Sequence, residues 1–483
     1  MTTLEQALHI FRKDVRHLRL EIGAALFFTL VLVIAGIQSW ENLQERGPGF
    51  GDDTPLSVLL PLVWGLLIAR AIQSEALPGD RHFWLTRPYS RAGLVLGKLL
   101  LIAAFIHLPL LAAQAVIVLA DGLPLPVTGL LWNQLLLAVI FVLPVTAIAT
   151  LTRNLAQFLP AAVISVVPMI AVIEESRRPE SAWVRLLLAI ILLTAIGCFV
   201  VWRQYRLRRS ANTALLAFGA GVASLILSAS FPNQAVFAIQ SSLIGTQDKQ
   251  FGLKLSAPEP KTAGKGPART PNRFRQTVKF PILVEGATSK DLMVQGWDLS
   301  FKTLSGVTRH ADTKIEFSPT GLVQFASVDR EFYEAAKNSP VTLRVTYALT
   351  QFGDGASAEV PLDGTPVFLP GVGQCGAAVS WDHREFICRS PFRTPGMFSS
   401  DRVQAIGGGM RQYTPFHLAA QLHPMITQRY GFPEEVAKEL APAAPEVPVK
   451  LTARERVAYF RYTLEAANVR LADYAVDAPV EDQ

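Results

Sequence analysis

Leu99 to Ala120 reads LLLIAAFIHLPLLAAQAVIVLA, twenty-two residues without a lysine, arginine or acidic side chain. A helix needs about 20 mostly apolar residues to cross roughly 30 Å of hydrocarbon, so this stretch is expected to span a bilayer. Six others share its character: Ile22–Gln38, Leu56–Ile72, Leu130–Thr152, Leu155–Ile173, Trp183–Tyr205 and Ala211–Phe231. Charge stays at their ends, where it avoids the cost of about 2.5–3.5 kcal/mol at a helix centre. Pro109, Pro144, Pro160 and Pro168 fall inside them, which bilayers tolerate better than soluble helices do. The fold class expected is an α-helical polytopic membrane domain of about seven transmembrane helices, then a mainly β, antiparallel sandwich-like soluble domain.

Half of the residues are hydrophobic, and they concentrate before Phe231. The net charge of +6 suits membrane orientation rather than nucleic acid, because most basic residues of the first half sit beside apolar runs. Arg12, Lys13, Arg16, Arg19, Arg70, Arg81, Arg87, Arg91, Lys98, Arg153, Arg203, Arg206, Arg208 and Arg209 fall on one side of the seven crossings. The other side carries Arg46, Arg177, Arg178 and Arg185 among acidic residues such as Asp52, Asp53 and Asp121. The N-terminus is therefore read as cytoplasmic, and residues after Phe231 as extracytoplasmic, in a bacterial inner membrane. No cleavable signal is evident, so the first run is expected to stay as an anchor.

The domains read along the chain are an amphipathic interfacial helix at 1–21, a transmembrane domain at 22–231, a linker at 232–272 and a β-rich domain at 273–483. In the first, Leu4, Ala7, Leu8, Phe11, Val15 and Leu18 recur at helical spacing, as on a helix resting on an anionic leaflet. Period-two alternation marks strands at Val278–Val284, Trp297–Phe301, Ile315–Phe317, Leu322–Phe325 and Val341–Leu349. Tyr459–Ala466 fits either strand or helix. Cys375 and Cys388 are thirteen residues apart and close a small loop if bridged; the alternative is two unlinked buried thiols. Cys198 lies in an apolar run.

The cytoplasmic loop Gln73–Lys98 combines a Pro78-Gly79-Asp80 turn, the aromatic pair Phe83-Trp84 and basic residues. Spacing leaves two readings open, a protein-docking surface and an interfacial membrane anchor. The run Glu75 … Pro78-Gly79 … Phe83-Trp84-Leu85-Thr86-Arg87-Pro88 … Ser90-Arg91 … Leu96-Gly97-Lys98-Leu99 resembles permease subunits of ABC-2 type exporters. The likeness covers roughly residues 4–205. It implies that Glu75, Pro78, Gly79, Asp80, Phe83, Trp84, Arg87 and Pro88 form the contact with a cytoplasmic ABC ATPase subunit. It further implies a second permease copy or paralogue within the bilayer. Six spans are usual in that family, so a seventh and a large external domain depart from it.

No G-x-x-x-x-G-K-[ST] phosphate loop occurs; Gly93 to Leu99 is one residue short between glycines and lacks the final hydroxyl. ATP would come from the partner chain, and no cofactor is implied. His107 and Gln114, inside a span, either line a path or satisfy each other or a freed backbone carbonyl. His417 and His423 are not at metal spacing, Asp382, His383 and Glu385 read as an exposed turn, and no G-x-S-x-G elbow is present. A non-enzymatic export permease is the leading expectation, ahead of a membrane anchor or receptor that presents its external domain to an envelope component.

Overall fold

The structure, a computed structural model, describes residues 2–37, 55–74, 90–164, 182–207, 210–230, 235, 239, 252–258, 275–286, 292–318, 321–380, 383–392, 398–400, 422–431 and 448–476. It divides into two compact units. The first comprises Met1–Arg177, Trp183–Ser230 and Gly355–Ala453; the second comprises Arg178–Ala182, Phe231–Asp354 and Arg454–Gln483.

The first unit opens with helices α1 (Thr3–His17), α2 (Arg19–Gly36) and α3 (Leu56–Gln73). Next come α4 (Arg91–Ala120), α5 (Val127–Leu151), α6 (Leu155–Ile164), α7 (Ala182–Leu207) and α8 (Ser210–Ala229). Among the described residues four helices are long and apolar enough to cross a membrane: Arg19–Gly36, Arg91–Ala120, Val127–Leu151 and Leu187–Arg206. Seven crossings are not supported. Over the described residues Val58–Gln73, Leu155–Ile164 and Asn212–Ser228 are shorter apolar helices. Large apolar side chains, including Phe27, Ile34, Leu131, Trp132, Ile191 and Phe218, point outward from the helices. That surface is compatible with a membrane protein.

Prolines explain the two irregular turns in the long helices. A π-helical turn at Ala103–His107 precedes Leu108-Pro109, and another at Ala138–Val142 precedes Leu143-Pro144. Proline has no N–H to donate and its ring collides with the carbonyl four residues back. Widening the preceding turn relieves the collision: Leu108 N–H bonds Ala103 O and Leu143 N–H bonds Ala138 O, each five residues back.

A capping box between Thr2 and Glu5 starts α1. Its stripe was expected to rest on lipid, yet much of it faces protein. Of the stripe Ala7 and Leu18 are buried and Phe11 and Val15 half-buried, with Ile10 and Asp14 beside it buried too, while Leu4 and Leu8 stay exposed. The cause lies in α4, where Gly93 and Gly97 are one turn apart and let a second backbone approach. A Cβ added at Gly97 would lie 3.1 Å from both Ala7 O and Ile10 Cγ2, and one at Gly93 would lie 3.1 Å from Gln6 Cβ. Gly97→Val is expected to lower stability by about 1–3 kcal/mol through overpacking, read as a fall in the thermal midpoint. Gly23→Val, where a Cβ meets nothing within 4 Å, is the control and should change little.

The first unit also holds the antiparallel sheet β12-β10-β9-β8, formed by β8 (Val367–Leu369), β9 (Gly373–Ser380), β10 (His383–Pro391) and β12 (Met425–Gly431). Cys375 and Cys388 sit opposite each other on β9 and β10 and form a disulfide. Around it pack Leu369, Phe386, Tyr430 and Leu451. In the same unit β11 (Phe398–Ser400) pairs with residues 451–453 of β13 (Val449–Val469).

In the second unit β1 (Gly252–Leu255), β2 (Arg275–Glu285), β6 (Gly321–Asp329) and β5 (Asp312–Ser318) form one sheet in the order β1-β2-β6-β5. Its other antiparallel ladder places β3 (Leu292–Thr303) between β4 (Thr308–His310) and β7 (Val341–Val360). Phe280 of β2 and Phe301 of β3 meet at 5.9 Å between ring centroids in a common core with Leu343, Tyr347 and Phe460. Tyr347 donates to Gln324 Oε1 at 3.0 Å, and burial pushes its phenol above its ordinary range. A short helix, α9 (Arg330–Ala336), follows β6. Two sequence boundaries need correction. Strand β1 lies inside the stretch read as linker, because Leu253 is buried against the core. The region after 273 is not one domain, since residues 355–453 belong with the helices. The ambiguous Tyr459–Ala466 is strand, within β13.

Candidate functional site

The residues expected to contact an ATPase, Glu75, Pro78, Gly79, Asp80, Phe83, Trp84, Arg87 and Pro88, lie outside the described residues. The two ends of that loop are described. Ser74 caps α3 and donates from Oγ to Ala71 O at 2.8 Å. Ser90 is the N-cap of α4; its Oγ accepts from Gly93 N at 3.1 Å, satisfying one of the helix's open donors.

Both ends are tied to α1. Ser90 N donates to Gln6 Oε1 at 2.9 Å. One helical turn past Gly93-Leu94, Lys98 Nζ lies 2.6 Å from Asp14 Oδ2, and it reaches Ser74 Oγ at 3.4 Å. The Lys98 and Asp14 side chains are 5% and 1% exposed, so this ion pair is shielded from water on both sides. Neighbouring contacts extend the junction: Gln73 Nε2 donates to Thr152 Oγ1 at 3.0 Å, and Arg70 pairs with Glu21 at 2.8 Å. Sequence reasoning counted Lys98 as a flanking charge and missed Gln6 and Asp14. An acidic residue amid Arg12, Lys13 and Arg16 was the available signal.

A second polar chain runs through the helices beside the π-helical turns. His107 Nδ1 is 2.9 Å from Gln134 Oε1, and Gln134 Nε2 donates to Gln114 Oε1 at 3.1 Å. Gln114 Nε2 in turn donates to the backbone carbonyl of Leu422 at 3.4 Å. His107 and Gln114 are therefore linked through Gln134, which the sequence reading did not single out, and Gln114 does meet a carbonyl. That carbonyl comes from the segment leading into β12, not from a proline-broken turn.

At the end of α4 nearest this carbonyl the sheet is fastened to the helices. Arg389 Nη1 lies 2.9 Å from both carboxylate oxygens of Asp121, the C-cap residue of α4. Gln374, opposite Arg389 on β9, donates from Nε2 to Asp121 O at 2.7 Å. Both charged side chains are 6% exposed. Burial pushes the Asp121 carboxyl above its ordinary value, with the adjacent guanidinium opposing, and burial lowers Arg389.

Among the described residues no group of three or more His, Cys, Asp or Glu side chains could hold a metal ion. Asp382 and His417 lie outside the described residues. No protein-family model, curated protein or solved structure matches this chain.

Proposed function

We propose that the chain is the membrane-spanning permease subunit of an ABC-2 type exporter, moving its substrate across the bacterial inner membrane with ATP hydrolysed by a separate cytoplasmic subunit. The observation that supports this most is the clasp on both ends of the Glu75–Tyr89 loop. Gln6 holds Ser90, and Lys98 joins Asp14 to Ser74. A loop gripped by a partner can transmit force only if its ends are braced against the helices it must move. Bracing at α1 makes α1, α3 and α4 respond together. The basic flanks favour a cytoplasmic N-terminus with this loop on the same side. The Cys375–Cys388 disulfide favours an oxidising, extracytoplasmic location for its sheet. A second copy or paralogue completes the transporter in this reading.

The rival reading, a membrane anchor or receptor that presents its β-sheets, draws on the buried Asp121–Arg389 attachment, which suits a fixed platform. The two separate on one experiment. Phe83→Ala with Trp84→Ala is expected to abolish co-purification of a phosphate-loop ATPase with the full chain while leaving its thermal midpoint unchanged. Retention of the ATPase by the double variant would refute the coupling assignment.

A further inference from the structure

We propose that the tip of the β10–β12 sheet, with Phe392 and Leu422, is a plug on one end of the α4–α5 pair, latched by Asp121–Arg389, and that its release opens the His107–Gln134–Gln114 chain to water. This goes beyond the export reading and does not depend on it.

Three contacts, each between described residues of the first unit, converge at that end. The ion pair with Gln374 is the first. The second is Phe392, which follows β10 and packs on Gly129 in the first turn of α5; a Cβ there would lie 3.1 Å from Phe392 Cδ2. The third is Leu422, fully buried in the core of the helices, with its carbonyl on Gln114. Gln114 is seven residues before Asp121, so this carbonyl reaches about 10 Å along the helix from its end. Phe392 N donates to Pro424 O at 2.7 Å, which joins the ends of β10 and β12 into one tip.

Chemistry marks this as a releasable contact rather than simple packing. Phe392 adopts φ 54°, a left-handed conformation that a bulky residue holds only when its surroundings impose it. A buried ion pair adds little net stability compared with apolar packing of the same volume, and it fails abruptly when one partner goes. Gln114 and Gln134 keep amides among the apolar side chains of α4 and α5. Once Leu422 withdraws, the Gln114 amide loses this hydrogen bond and the side facing Leu422 is open to another polar group. Water can fill that place. An apolar bundle would stay dry on losing its plug; this one has a polar chain ready to be hydrated.

The test uses the full-length protein in detergent, with Cys198→Ala so that the disulfide-bonded pair holds the remaining native cysteines. Gln114→Cys reports access of a sulfonated, water-soluble maleimide to the chain. Ala25→Cys is the reference: it is fully buried in α2. It lies eleven residues, about 16 Å, from Gly36, which abuts Ile117. Arg389→Ala breaks the latch, and Gly129→Leu displaces Phe392 while leaving the ion pair in place. Labelling at Gln114→Cys is expected to be slow with the latch intact and to rise at least about tenfold, a local opening, with either change while Ala25→Cys stays slow. No rise with either change, or an equal rise at Ala25→Cys, would overturn the plug.

Discussion

Replacing Lys98 with methionine should destabilise the helical unit by about 3–5 kcal/mol, the usual cost of stranding one charge of a buried pair. Asp14 is 1% exposed and faces Lys98 at 2.6 Å. Its other cationic neighbour, Lys13, is 3.9 Å away and partly in solvent, so it offers little compensation. Asp14→Leu added to Lys98→Met should recover most of the loss, since a pair of apolar residues of similar volume replaces the ion pair with little net change. Thermal unfolding of the full chain in detergent measures both. Equal midpoints for the single and double variants would mean that the pair is not coupled. Under the proposed export function the double variant is the informative one. It should be folded, yet lack the tie from α1 to the loop, and should therefore keep ATPase association while losing transport.

The disulfide carries the second large effect. Cys375→Ala with Cys388→Ala is expected to cost the β12-β10-β9-β8 sheet about 3 kcal/mol, from the loop entropy restored to the unfolded chain. Both sulfur-bearing residues are fully buried among Leu369, Phe386 and Tyr430, so alanine leaves no unmet polar group. Treating the unsubstituted protein with reductant should reproduce the shift, and the double variant should be insensitive to reductant. A reductant-induced shift that persists in the double variant would assign it elsewhere. Because Arg389 follows Cys388 directly and Gln374 precedes Cys375, loosening this pair also loosens the two side chains that grip Asp121.

Periodicity carried much of the architecture. Uncharged runs and period-two alternation placed the helices before the strands because burying apolar area is a property each segment expresses locally. The number of crossings was less legible, since hydropathy shows that a helix is apolar but not whether lipid or neighbouring helices bury it. The Gly93–Gly97 spacing was visible and was weighed only as a defective phosphate loop; its role as a groove for α1 depends on which helix lies across it. Contacts distant in sequence were illegible for the same reason. Nothing local in Asp121, Arg389 or Leu422 points to a partner some three hundred residues away.

Composition and spacing thus settled what each segment is: apolar helices with charge at their ends, then half-buried strands, because solvent preference acts residue by residue. Folding settled what each polar residue does. Lys98 meets Asp14, Gln114 meets Leu422 O and Arg389 meets Asp121 because a charge or amide withdrawn from water needs a partner wherever the chain can bring one.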